Sequence, residues 1–184
     1  MKLFNIVLIL LSILKSIATY ANSPVVGKVT LLRGNAKLND AILKLNDAIS
    51  EKDQIETQEH SIVRIILNDN SLITVAPESR VVINLMNKSD GAGIIQVLKG
   101  ALRAKVEKKP KKKLSLLVKT PSAGLGVRGT DFQISYNPKN NVSSVVTFTG
   151  SVAIKKIDGL DSSFQELKND LEGKDSIIVT EGNF

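Results

Sequence analysis

Few side chains in this chain of 184 residues could carry chemistry. There is no cysteine, so thiolate nucleophiles, thiolate metal sites and disulfides are excluded together. His60 is the single histidine, set in Gln58-Glu59-His60-Ser61. No pattern around it supplies the further ligands of a zinc site or the activated nucleophile of a Ser-His-Asp relay, and a solvated loop histidine is expected. Asp69, Asp131 and Glu166 fall at turns and at a helix start, where local hydrogen bonding accounts for them, and no spacing marks a catalytic pair. Neither an enzyme nor a cofactor is expected.

Gly124-Leu125-Gly126-Val127-Arg128-Gly129 has the spacing of a dinucleotide fingerprint. That fingerprint works because its glycines open a helix whose amides hold a pyrophosphate, whereas the alternation from 131 to 136 predicts a strand. No nucleotide is expected. The glycines should instead supply positive φ or close backbone approach at a tight corner, with Arg128 and Asp131 pairing across it.

Charge is the most uneven property of the chain. Between 99 and 119 stand nine lysines and arginines and one glutamate, a local balance of +8 against +7 for the whole chain, so the remainder is close to neutral. The dense part is an insert over 105–113 with Lys105, Lys108, Lys109, Lys111, Lys112 and Lys113. No aromatic interleaves with it, which argues against nucleic acid. It reads either as a solvated connection whose charges discourage edge aggregation, or as a loop that touches an anionic lipid surface or glycan, where each lysine gains roughly 1 kcal/mol.

The elements that position these residues are strands. Hydrophobic residues make up 42% of the chain and aromatics 4%, so a core must come from Val, Ile and Leu, which suit a pleated surface. In 25–31 the odd positions are apolar or Gly and are expected inward, with Lys28 and Thr30 outward. Residues 61–67 are apolar enough for both faces to be buried, and Asn68-Asp69-Asn70-Ser71 is a strong turn. A strand over 72–76 ends before Pro77; Val81, Ile83 and Leu85 give the next inward face; 94–98 and 101–106 are a pair divided by Gly100. Strands follow at 114–118 and at Phe132, Ile134 and Tyr136, with Val142, Val146 and Phe148 on one face after the turn 137–141. Thr149-Gly150 then turns the chain into 152–157 as a hairpin. Ser163 to Glu166 has the form of a capping box, and Phe164, Leu167 and Leu171 share a face, so a helix over 162–172 stopped by Gly173 is expected, then a strand over 176–180.

Met1-Lys2, an apolar run over 3–14, Lys15 and a small-residue stretch ending Ala18-Thr19-Tyr20-Ala21 match a secretory signal peptide cut after Ala21. Lys15 interrupts the run well short of the roughly 20 apolar residues of a membrane span, so the mature chain is expected to be exported and not integral to the membrane.

Val118-Lys119-Thr120-Pro121 followed by Gly126-Val127-Arg128-Gly129-Thr130-Asp131-Phe132 resembles the signature of the FecR domain family, in which a V-x-T-P run precedes V-R-G-T-x-F. Gly27-Lys28-Val29, the run 68–77, Leu98-Lys99-Gly100 and Thr149-Gly150-Ser151-Val152 keep the family's order. The resemblance implies Thr120, Pro121, Gly126, Val127, Arg128, Gly129, Thr130 and Phe132 as a structural motif, and a periplasmic or extracellular β-rich module of a bacterium. In the namesake branch this module relays a signal from an outer-membrane receptor to a sigma factor through a cytoplasmic segment; only a leader precedes it here, so a separate membrane partner would be required.

The expected layout is a signal peptide at 1–21, a FecR-like β domain at 22–157 carrying the basic insert, and an extension at 158–184. The fold expected is all-β: a curved β-roll or solenoid-like stack of short strands with one short C-terminal helix, or else a two-sheet β-sandwich. The function expected first is a non-catalytic envelope module that binds a protein, a glycan or an anionic lipid surface through strand edges and the basic loop. The alternative is a periplasmic regulator in the receptor-to-sigma-factor relay.

Overall fold

Branched apolar residues recurring at every second position pair into sheet, and the computed structural model is built almost wholly of strands. It describes residues 23–84, 93–108, 114–161, 163–173 and 176–182. The leader over 1–21, Leu85, Lys109, Lys111, Lys112, Lys113, Ser162 and the Phe164 side chain lie outside the described residues.

The strands are β1 (Val25–Arg33), β2 (Ala36–Leu38), β3 (Ala41–Ile42), β4 (Ala48–Ser50), β5 (Gln54–Thr57), β6 (Ile62–Leu67), β7 (Leu72–Val75), β8 (Arg80–Asn84), β9 (Gly93–Lys105), β10 (Leu116–Lys119), β11 (Ala123–Val127), β12 (Asp131–Asn137), β13 (Val142–Thr149) and β14 (Ser151–Lys156). A helix, α1 (Phe164–Glu172), and β15 (Ile177–Thr180) complete the chain. One layer has the order β4-β1-β6-β7-β9-β12-β13, and the other β3-β2-β5-β8-β9-β10-β11-β14-β15. The fold is all-β. Strand β9 belongs to both layers: residues up to Lys99 pair with β8 and β10, and those from Gly100 on pair with β12 and β7. A single open sheet is thus folded over itself, as in a roll.

The chain alternates between layers, and a left-handed residue marks the passages. Gly34, Asn46, Lys52, His60, Glu78, Gly100, Gly129 and Gly150 all have positive φ. The bend of β9 requires its glycine: at Gly100 φ is +82°, and a Cβ would lie 2.2 Å from Ser79 Oγ and 2.7 Å from Ser79 Cα. Ser79 Oγ in turn accepts the Ala101 amide at 2.9 Å, which satisfies a donor that the bend frees from the ladder. Ser61 does the same for Asn35 beside Gly34.

Between the layers runs one apolar core, with Val29, Ile65, Ile73, Leu102, Phe132 and Ile134 from the first layer meeting Val81, Ile83, Ile95, Val97, Val118 and Leu125 from the second. A smaller cluster lies on the far face of the second layer, where Leu167 and Leu171 of α1 cover Leu117. Strands β10 and β11 are therefore buried on both faces.

Several expected details change. The segment 94–106 is not a divided pair but the continuous β9, because Gly100 bends the strand without ending its pairing. Bulges on β1 shift its alternation, so that Val26 turns inward in place of Val25, and Leu31 is left exposed while Leu32 packs. Residues 62–67 are buried on one face only, with Arg64 exposed on the other. Val142, Val146 and Phe148 do share a face, but it is the outer one; Val145 and Thr147 face the core opposite Ile134 and Phe132. Strands β13 and β14 form no hairpin: Gly150 carries the chain from one layer to the other, where β14 pairs with β11 and β15. The helix begins at Phe164 rather than at 162, capped by Ser163, whose hydroxyl accepts the Glu166 amide at 3.2 Å.

Candidate functional site

The signature residues build the two ends of β11. At its start, Thr120 is fully buried in the β10–β11 turn, where its Oγ1 accepts the Ala123 amide at 2.9 Å and bonds Ser143 Oγ of β13 at 2.7 Å. Ser122 Oγ bonds the same serine at 2.7 Å, so the Thr-Pro-Ser turn ties the second layer to the first. At the other end Gly129, with φ of +62°, turns the chain into β12, Thr130 Oγ1 donates to Ser151 O at 3.0 Å, and Phe132 enters the core. Gly124 and Gly126 face α1 and the residue leading into β10: a Cβ on Gly124 would stand 2.3 Å from Leu167 Cδ1, and one on Gly126 2.9 Å from Leu114 Cδ2 and 3.3 Å from Leu171 Cδ1. The glycine run is thus strand and corner, with a helix lying across it rather than starting from it.

The basic insert is rooted at that corner. Val106 donates to Thr130 O at 2.9 Å, Glu107 N donates to Ser71 Oγ at 3.1 Å, and the stem of Lys108 lies against Gly129, where a Cβ would come 2.8 Å from Lys108 Cβ. Lys105, Lys108 and Arg128 are exposed here. Asp131 does not serve Arg128, as the spacing had suggested; it takes both Nε and a terminal nitrogen of Arg103, at 2.9 and 3.0 Å, because β9 and β12 are neighbours in register. The Arg103 guanidinium lies 4.3 Å from the centre of the Phe148 ring, which fixes its direction along the outer face.

From this corner an open groove runs across the outer face of the first layer. Two clefts of about 480 and 170 Å³ share Pro77 and Ala101, and between them reach from Arg103 and Gln133 to Ser135, Val142 and Ser144. On the other side of the molecule a cleft of about 420 Å³ is lined by Asp158, Asp161, Glu166, Asp170 and Lys156. Lys119, counted in the basic stretch by sequence, is absent from the surface: it is 2% exposed and donates to Leu160 O at 2.8 Å. Burial lowers its pKa below the ordinary lysine value, and Asp161 and Glu166 offset this in part. His60 is at the surface beside Glu59, at 3.2 Å, with its backbone in the left-handed region. Among the described residues no three histidines, cysteines or carboxylates are placed to hold a metal.

The family described as FecR protein matches residues 53–153, from the turn before β5 to the middle of β14. The chain belongs to the FecR family. Two crystal structures of a candidate anti-sigma factor from Parabacteroides distasonis share its fold, each with a TM-score of 0.52 at 16% identity, over 70% of this chain and 51% of that protein. This FecR-family chain therefore spans about half the length of the protein it resembles. No curated protein matches the sequence.

Sequence separates two features that the FecR fold joins: the V-R-G-T corner and the basic insert, whose root is held by Thr130. Sequence also misses the Arg103, Asp131 and Phe148 cluster, whose members are far apart in the chain and meet only through the β9–β12–β13 register. Lys109, Lys111, Lys112 and Lys113 lie outside the described residues. Among the described residues no helix is long and apolar enough to cross a membrane.

Proposed function

We propose that this FecR-family chain is a non-catalytic regulator of the bacterial envelope, exported by its leader, that passes a signal from a receptor toward a sigma factor through a separate membrane partner. The observation that carries this is the FecR match over 53–153 with both halves of the signature intact. The shared fold with a candidate anti-sigma factor points the same way. The structure offers such a regulator a two-layer body with an open outer groove, which suits docking to a protein better than enclosing a small ligand.

A second function, scaffolding on a glycan or anionic lipid surface, is favoured by one feature, the exposed Lys105, Lys108 and Arg128 at the root of the basic insert. Capture from envelope extracts with the tagged mature chain separates the two. A receptor or a transmembrane regulator retained on the chain is the expected result; retention of glycan or lipid alone, lost when the insert lysines become serines, would replace the relay by the scaffold.

A further inference from the structure

The described sheet edges differ sharply. Strands β3, β4 and β15 present two, three and four residues. Strand β13 is eight residues long, Val-Ser-Ser-Val-Val-Thr-Phe-Thr, with no charge and no proline; its ladder is with β12, and β15 touches it at the Thr147 end. Soluble proteins normally blunt such an edge with lysine, proline or brevity.

The direction of its free groups follows from the ladder. Ala101 O accepts the Ala76 amide, so odd residues of β9 point to β7 and even ones to β12. Carried across β12, this turns Val142, Ser144 and Val146 toward β12 and leaves the N–H and C=O of Ser143, Val145 and Thr147 pointing outward. Thr147 is covered by β15 and the segment after it, its O receiving Gly182 N at 3.4 Å and its Oγ1 donating to Val179 O at 3.4 Å. The outward main-chain groups of Ser143 and Val145 make no hydrogen bond to another described element, the Ser143 side chain alone being held by Thr120 and Ser122. Beside this edge Val142 and Phe148 expose apolar surface, and Ser144 and Val142 line the larger cleft. The strand's far end lies near Asp131 and Arg103, with Lys105, Lys108 and Arg128 beyond.

We propose that β13 is the docking edge of this chain, and that its occupant is an extended segment of a partner protein that adds a strand beside Ser143 and Val145. Its side chains are small or β-branched over the groove, with a carboxylate at the end that meets the Arg103 and Lys105 corner. A second copy of the chain is disfavoured by charge, since each is net positive with or without the leader. The inference rests on the proposed function only in needing a protein partner.

The test places the photo-cross-linking residue p-benzoylphenylalanine at position 144 of the full chain in its own bacterium, with position 28 as a control on β1. A 144-specific adduct whose cross-linked peptide is an acidic, extended segment of another protein is expected. Val145→Pro removes an outward donor while keeping the donors that pair with β12, and should lower the adduct at least tenfold at a temperature where circular dichroism shows the variant folded. Val146→Glu should lower it as much and Val146→Lys should not, which decides the matter if the proline variant fails to fold. An adduct unchanged in Val145→Pro and Val146→Glu, an adduct to a second copy, or none at 144 overturns the inference. If the chain still captures a membrane regulator in those cases, the proposed function stands without this edge.

Discussion

Replacing Gly100 by alanine tests the bend on which both layers depend. An L-residue held at φ of +82° costs about 1–2 kcal/mol. The new Cβ would also meet Ser79 Cα at 2.7 Å and Cβ at 2.8 Å, contacts with main chain and its first side-chain atom that no rotamer change relieves. Moving Ser79 breaks its bond to the Ala101 amide, and a buried donor left unpaired costs roughly a further 1–3 kcal/mol. The sum, about 2–5 kcal/mol, is a large part of the 5–15 kcal/mol that a domain commonly has. At roughly 2–4 °C per kcal/mol for a chain of this size, melting should fall by about 4–20 °C. Gly159→Ala is the control, because its φ is +85° but nothing lies within 4 Å, so only the backbone penalty of about 1–2 kcal/mol applies. Thermal unfolding followed by circular dichroism measures both. Equal shifts for the two variants would refute the claim that the Ser79 contact, rather than glycine's φ alone, fixes the bend.

Other consequences can be measured on the same material. Gly129→Val should lose about 2 kcal/mol or more, because a β-branched residue is forced to φ of +62° with its Cβ 2.8 Å from Lys108 Cβ, whereas Gly129→Asn shares that contact but tolerates the φ and should lose less; equal urea midpoints for the two variants would contradict this. Thr120→Val leaves the Ala123 amide unpaired in a buried turn and should cost about 1–3 kcal/mol, with Thr120→Ser restoring most of it; a neutral Thr120→Val would show that the hydroxyl does not hold the turn. Burial lowers the Lys119 pKa, so over an interval below the ordinary lysine value of about 10.4 the unfolded chain holds a proton that the folded chain has released. The stability of the wild type relative to Lys119→Met should therefore rise with pH toward that value, and a difference that stays flat or falls would refute the assignment.

Alternation was enough to reveal the strands, since Val63, Ile65 and Leu67, or Phe132, Ile134 and Tyr136, are buried at the spacing that a pleat demands. It failed where geometry outside the strand intervened. Bulges shifted the face of β1, and the outer positions of β13 are apolar although solvent-facing, so hydrophobicity alone pointed to the wrong side. The missing hairpin had a related cause: Thr149-Gly150 has turn chemistry, but φ of +86° at Gly150 serves a change of layer rather than a return along the same one. Passages at Lys52 and Glu78 gave no signal, because those residue types seldom mark left-handed backbone. The signature was legible as a motif and its corner as glycine geometry. Arg103 with Asp131, and Lys119 with Leu160, required the register of strands distant in sequence.

Whether this chain regulates from the envelope by engaging another protein can be read from transcript profiles of the bacterium with the gene deleted and then restored. A discrete set of transcripts under one sigma factor should change on deletion and return with the exported chain. A profile that deletion leaves unchanged under conditions in which the chain is made would contradict it.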